Sequence, residues 1–357
     1  MVGGGPVGAC LARAARGMSV ALLARERPAP PPEAFDTRIY AITPGNAAFL
    51  RKIDAWPERA TPVHAMRIHG DDASLLEFDA YSAGVPQLAW IVEDARLQAA
   101  LWRDLDVIAP GECRELRIEQ DWVTLTLHER SIQARLVVGA DGASSLVRKR
   151  AGIAVRERDY GQHAVVANFR CARPHGNVAY QWFQCGAVLA LLPLAGDHVS
   201  MVWSRSTPLD DVAAEVEKAS GGVLGALELL GPPRSFPLHR LAAERLVAPR
   251  VALAGDAGHV IHPLAGQGLN LGLQDARTLA EVLTSREPRR DPGELGLLRR
   301  YERARAEPIL AMDTMVDSLF RLFGAENALA ARLRNSGLNL ADRLPVIKNM
   351  LMRQAMQ

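Results

Sequence analysis

The chain has 357 residues, 48% of them hydrophobic and 23% charged, with a formal net charge of +2. So even a balance excludes nucleic acid as a partner, and the length suits two domains or one large discontinuous one. Four scattered cysteines (Cys10, Cys113, Cys171, Cys185) form no C-x-x-C pair and read as buried thiols in a reducing compartment.

No apolar run reaches the roughly 20 residues a spanning helix needs. No signal peptide precedes the first motif, so a soluble, cytoplasmic protein is expected. Gly3, Gly5 and Gly8 open the chain as G-x-G-x-x-G, followed by a helical run with small residues at Ala9, Ala12 and Ala15. Ser19–Ala24 then reads as a buried parallel strand, the second half of a βαβ dinucleotide unit. Such a unit normally starts with a strand of about five or six residues, of which only Met1 and Val2 are present. That strand is expected to lie upstream in the native product.

A proline-rich irregular loop follows, and helical spacing resumes over "PGNAAFLRKIDAW". Residues 64–94 read as one or two hairpins, and "EDARLQAALWRDL" as a helix with Leu97, Leu101 and Leu105 on one face. Strands are expected at "VTLTLHE" and "SIQARLVVGA", the second delivering Asp141 at its carboxyl end. Residues 163–204 alternate with period two, the pattern of an antiparallel sheet. Residues 251–285 read as strand, glycine-rich loop and long helix, and helix continues from about Asp291. These segments predict an α/β chain, α+β overall. A Rossmann-like domain over 1–63, 95–160 and 250–290 is interrupted by an antiparallel sheet domain over 64–94 and 161–249. Residues 291–357 form a helical C-terminal region.

Three loops carry the chemistry. G-x-G-x-x-G lets the backbone close on a pyrophosphate at a helix N-terminus. Asp141-Gly142, with Arg148 downstream, stands where open α/β sheets bind ligands, although Asp-Gly is also ordinary turn chemistry. In "GDAGHVIHPLAGQGLN", Asp256 can accept hydrogen bonds from sugar or ribityl hydroxyls. Amides near Gly268 to Asn270 can stabilise negative charge.

Together, G-x-G-x-x-G, D-G-x-x-S-x-V-R and G-D-A-x-H-x-x-x-P resemble the p-hydroxybenzoate hydroxylase superfamily of flavoprotein monooxygenases. "HPLAGQGLNLGLQDA", "DTRIYAITPGNAAFL" and "IVEDARLQAALW" resemble the ubiquinone-biosynthesis FAD-dependent hydroxylase family within it, over essentially the whole chain. The resemblance implies FAD, with Gly3, Gly5 and Gly8 at the pyrophosphate, Arg38 near the flavin, and Arg96 and Asp256 along the ribityl and phosphate. Gly255 and Pro263 shape the third loop, and Gly266, Gly268, Leu269 and Asn270 lie beside the ring system. Asp141, Gly142 and Arg148 serve FAD and a transiently docking NAD(P)H.

The activity so implied is hydroxylation, with O2 and NAD(P)H, of the ring of a polyprenylated phenol. Alternatives are a soluble small aromatic substrate, or a flavin-free scaffold in a biosynthetic complex. The family usually holds the adenosine ribose with an acid where this chain has Ala24, and Glu26 is the candidate substitute. No catalytic acid, base or nucleophile stands out.

Asp256, His259 and His262 have a metal-like spacing, but the glycine and proline run is not a regular helix and offers no fourth ligand, so no metal is expected. Tyr180, Trp182, Phe183 and Trp203 are core candidates, of which one or two could line an aromatic substrate site. Val147–Arg150 suits a solvated face or a cofactor phosphate about equally. The tail from Arg343 to Gln357, with three basic residues and no acid, could lie on the inner membrane face, on a partner, or on its own domain.

Overall fold

The computed structural model describes residues 1–70, 74–108, 111–128, 130–184, 186–263 and 266–324. The basic tail Arg343–Gln357, with its membrane, partner and own-domain alternatives, lies outside the described residues, as does Cys185.

A parallel sheet carries the first glycine loop. Leu22–Leu23 pairs with Val107–Ile108, Val137–Gly139 pairs with Val251–Leu253, and Val2 bridges the two pairs through Leu23 and Gly139. The expected strand Ser19–Ala24 is paired only at Leu22–Leu23, because Val2 and Val107–Ile108 are the short partners beside it. Helix α1 (Pro6–Ala14) begins with Pro6, which forfeits no intrahelical bond there, and buries Ala9, Cys10 and Leu11. The run 131–140 is two strands. Ser131–Ala134 pairs antiparallel with Val123–Thr126, whereas Val137–Gly139 enters the parallel sheet. The Arg135 carbonyl at the break accepts from Arg250 Nη1 at 2.8 Å.

Helices α2 (Pro44–Lys52) and α3 (Asp94–Trp102) follow the proline-rich loop and the strand Ala89–Glu93. That strand pairs with Ile39–Ile42 and Ala60–Val63, not with the hairpin Ala65–His69 and Leu75–Asp79. The hairpin joins a nine-stranded sheet whose long member is Val155–Cys171, so that strand runs across residue 160.

The nine-stranded sheet has two differently covered faces. Phe169, Tyr180, Leu189, Met201 and Trp203 lie under Val212 and Val216 of α5 (Val212–Ala219). On the opposite face Phe183 packs with Leu271 of α6 (Gly268–Thr284) and Val316 of α7 (Leu295–Gly324). The short helix α4 (Leu146–Arg150) follows the Asp141 loop. No helix among the described residues is long and apolar enough to cross a membrane.

Candidate functional site

In the first loop, close approach dictates glycine. Gly3 has φ +107°, and a Cβ there would lie 2.1 Å from Ala140 O. A Cβ on Gly8 would lie 2.0 Å from Gly3 O, whereas one on Gly5, the N-cap of α1, would meet no protein atom within 4 Å. The loop is therefore folded tightly on itself and open at the helix N-terminus. Trp102 Nε1 donates to Gly4 O at 2.9 Å, and Ala24 is buried where a Gly4 Cβ would meet its own Cβ at 2.6 Å. Glu26, two positions later, is on the surface.

The Asp141 carboxylate organises the second loop. It accepts from Ser145 Oγ at 2.5 Å and from the amides of Leu146 (2.7 Å) and Val147 (3.2 Å), fixing the start of α4. Gly142 has φ +79° and faces open space. Arg148 is 3% exposed, and donates to Ala143 O at 2.7 Å and to Ala257 O at 2.8 Å. It thus ties the second loop to the third; Lys149 and Arg150 are the exposed members of the basic run.

In the third loop, Gly255 (φ +61°) lies against Val7, to which a Cβ would come within 3.0 Å. Asp256 is open to solvent but crowded by surrounding protein, which raises its carboxyl above the usual range against the pull of His259, Arg38 and His239. Beneath it lies a buried network that sequence reading missed. Asp275 on α6 accepts from Gly255 N (2.9 Å), His259 Nε2 (2.6 Å) and Arg305 Nε of α7 (2.7 Å). Burial opposes the Asp275 charge, but His259 and Arg305 outweigh it and hold the carboxyl below its usual range. The signal was present: Asp275 shares a helix face with Leu271 and Leu279, where an acid must have partners.

At the start of α6, Gly266 (φ +61°) comes within 3.7 Å of Ala41 through its Cβ position, and its amide donates to Pro263 O at 2.9 Å. Gly268 faces open space and Leu269 is partly buried. Asn270, 1% exposed, accepts from Thr43 N (3.1 Å) and Asn46 Nδ2 (2.9 Å) and donates to Ala41 O (2.8 Å). Asn270 is a strut that aims the helix N-terminus.

Arg38 is exposed, with Tyr40, Asp94 and Asp256 around it strengthening its charge. Arg96 is held 3.5 Å from buried Glu93 and donates to Pro32 O at 3.0 Å. Tyr180, Trp182 and Trp203 lie beneath α5; of the aromatic candidates, Phe183 alone is on the opposite face. His262 packs edge-on to Tyr160 and tilted against Phe320, with ring centroids 4.8 and 5.1 Å away. Burial lowers its pKa to about 4. His259 is committed to Asp275, and among the described residues no three metal-ligating side chains gather as a site.

Residues from the three loops interlock, and at Gly5, Gly142 and Gly268 a Cβ would meet no described protein atom within 4 Å. An extended anionic cofactor with hydroxyl groups fits this cradle: two helix N-termini face it, and Asp256 is available as an acceptor.

A family model described as an FAD binding domain matches residues 122–312. HpxO from Klebsiella pneumoniae, solved with FAD and uric acid, has a TM-score of 0.79 at 18% identity, covering 99% of this chain and 96% of that one. p-Nitrophenol 4-monooxygenase PnpA from Pseudomonas putida has a TM-score of 0.80 at 18% identity, covering 99% and 97%. The fold is that of the FAD-dependent aromatic hydroxylases. Among curated proteins, ubiquinone hydroxylase UbiL of Rhodospirillum rubrum is 35% identical, covering 100% of this chain and 88% of the relative. 3-Demethoxyubiquinol 3-hydroxylase of Escherichia coli is 33% identical, covering 100% and 97%. The chain belongs to the ubiquinone-biosynthesis FAD-dependent hydroxylase family.

Proposed function

We propose that this FAD-dependent monooxygenase hydroxylates the aromatic ring of a polyprenylated phenol, with NAD(P)H and O2 as co-substrates. The interlocked glycine cradle beside Asp256 carries the reading. When bound, FAD supplies two-electron redox chemistry and oxygen activation. The chain's part is to hold and orient it. Gly3 and Gly8 bring the backbone of α1 to the pyrophosphate, and the open N-terminus at Gly5 gives it amide donors and a positive dipole end. Asp256 accepts from the sugar or ribityl hydroxyls. The N-terminus of α6, aimed by Asn270, stabilises negative charge on the flavin edge. Among the described residues, nothing lies within 4 Å of a Cβ placed at Gly5, Gly142 or Gly268, which favours a bound cofactor over the flavin-free alternative. A membrane role for residues 343–357 rests on their sequence alone.

The test is Asp256→Ala. Losing an acceptor for buried hydroxyls is expected to weaken FAD about 10–100-fold while the fold persists. The wild type is expected to purify yellow and to consume NAD(P)H faster when a prenylated phenol is added. Unchanged flavin retention in the variant removes Asp256 from the site, and a wild type that holds no flavin overturns the reading.

A further inference from the structure

Asp36, just before Arg38, is held by hydrogen bonds from separate parts of the fold. Its amide donates to Glu93 Oε2 at 2.8 Å, and its carboxylate accepts from Ala95 N of α3 at 3.2 Å. Its carbonyl accepts from Asn168 Nδ2 at 3.0 Å, and the same nitrogen reaches Phe35 O at 3.3 Å. Asn168 lies on the strand Val155–Cys171 between Ala167 and Phe169, which pack beneath α5. Its side chain therefore leaves the opposite face of the nine-stranded sheet. It is 3% exposed. Two carbonyls on one amide nitrogen fix the orientation of that amide, because the flipped group would set oxygen against oxygen. Arg59 also reaches this loop, at Glu33 O (3.2 Å) and Ala34 O (3.4 Å), but those bonds are exposed. The hold from inside the protein is Asn168.

The Asp36 carboxylate passes this hold on to Arg38, whose amide donates to it at 2.9 Å. The Arg38 carbonyl accepts from Asp94 N, also at 2.9 Å. The guanidinium lies 5.7 Å from the centre of the Tyr40 ring, whose hydroxyl donates to Asp94 Oδ1 at 2.9 Å. Asp94 and Asp256 face the guanidinium as well. We infer that Asn168 is a positioning residue for Arg38: through Asp36, the nine-stranded sheet sets where this cation stands beside Asp256. The inference rests on the FAD reading above, which puts Arg38 and Asp256 at the cofactor. Without the Asn168 amide, the Phe35 and Asp36 carbonyls lose their inward donor and turn to water. Asp36 turns with them, and a displacement of about 0.5 Å is enough to matter at a functional site. The bonds from Glu93, Asp94 and Ala95 all come from the start of α3, so they act as a pivot and not as a second clamp.

A cation beside a flavin stabilises the negative charge added on reduction, so the place of Arg38 is read in the reduction potential. The midpoint potential of FAD in the full-length holoprotein is measured by equilibration with a reference dye. Arg38→Gln is expected to lower it by about 30 mV, a ten-fold change in the two-electron equilibrium. Asn168→Leu, which keeps the size and removes the donor, is expected to lower it by about 15 mV, roughly three-fold. In protein that already carries Arg38→Gln, Asn168→Leu is expected to change nothing further, because the group it positions is gone. Asn168→Ser, too short to span to both carbonyls and gentler on the sheet, is expected to repeat this result and serves if Asn168→Leu fails to fold. A shift that is as large without Arg38 as with it overturns the inference. So does an unchanged potential in flavin-loaded Asn168→Leu or Asn168→Ser, or in Arg38→Gln. A wild type that holds no flavin overturns the FAD reading itself, whereas the outcomes read on flavin-loaded protein overturn only the role of Asn168.

Discussion

Gly5 and Gly8 are three positions apart and predict opposite behaviour when given the same methyl group. Alanine is favoured over glycine inside a helix by about 1 kcal/mol. At Gly8 that gain is overwhelmed, because the new Cβ would stand 2.0 Å from the Gly3 carbonyl and backbone must move. Gly8→Ala is therefore expected to lower both the melting temperature and flavin content. At Gly5 the Cβ meets no protein atom within 4 Å. Gly5→Ala is expected to lower the melting temperature of the apoprotein far less than Gly8→Ala and to lose FAD, since in the proposed placement the cofactor takes that space. Paired calorimetry and flavin release measure both, and equal FAD content in Gly5→Ala and wild type would refute the placement. These glycines were legible because G-x-G-x-x-G is written in consecutive residues. Asp275 was not, since its partners Gly255, His259 and Arg305 come from elsewhere in the chain.

His262 makes a prediction of its own. Its pKa falls from an ordinary 6.5 to about 4 through burial. The neutral ring's contribution is thus fully present above pH 6.5 and is lost as pH falls from there towards 4. The loss reaches about 3 kcal/mol once both values are passed. Urea titrations across that window should show the decline, and His262→Phe should flatten it. A variant whose stability falls as steeply as wild type would show that another group is responsible.

At the scale of elements, α7 does more than close the chain onto α6. Arg305 reaches Asp275, and Tyr301 OH donates to Leu253 O at 2.7 Å, so α7 holds both the third loop and the strand that delivers it. Farther along, Arg240 of the large sheet grips Asp313 of α7 through two hydrogen bonds, and Arg158 pairs with Asp317 at 3.0 Å. Removing one partner of the buried pair leaves Asp275 charged and under-compensated, a cost of about 3–5 kcal/mol. Arg305→Met is expected to destabilise the protein by that order and to weaken FAD by loosening Asp275, which holds the Gly255 amide, with Arg305→Lys restoring part of both.

The pH sign follows from the depressed Asp275 carboxyl. Its stabilisation is present above the unfolded carboxylate value near 4 and is lost as pH falls through the lower folded one. Acid unfolding of Arg305→Met should accordingly begin at higher pH than in wild type. An unshifted acid midpoint would show that the pair is not linked to folding. The expected helix after about Asp291 corresponds, within the described residues, to Leu295–Gly324. Its docking was not legible, because ion pairs between distant segments leave no local period.

For the whole molecule, the alternation over 163–204 announced an antiparallel sheet because side chains on a strand change face every residue. It could not announce which strands join that sheet. Ala89–Glu93 has the pattern of a strand, yet it pairs with Ile39–Ile42 and Ala60–Val63. Partner choice is settled by tertiary packing rather than by strand propensity. The same limit applied to the aromatics. Tyr180, Trp182 and Phe183 are near neighbours in sequence, but the period of two sends Phe183 to the face packed against α6 and α7 and the other two beneath α5. Tyr180 and Trp182 share a parity, so the split was readable in principle. Which parity faces the cofactor was not, until α5 was seen to cover one side.

Arg148 is 3% exposed, with one nitrogen on Ala143 O and another on Ala257 O. Its consequence is thermodynamic. If the third loop parts from the second, the buried guanidinium loses the Ala257 carbonyl and keeps only the Ala143 carbonyl of its own loop, so separating the two loops costs a charged hydrogen bond. Gly255 against Val7 and Gly3 beneath Ala140 extend the same condition to the first. The three loops come from segments more than 100 residues apart in the chain, so in the proposed site the affinity for cofactor depends on all three being held together.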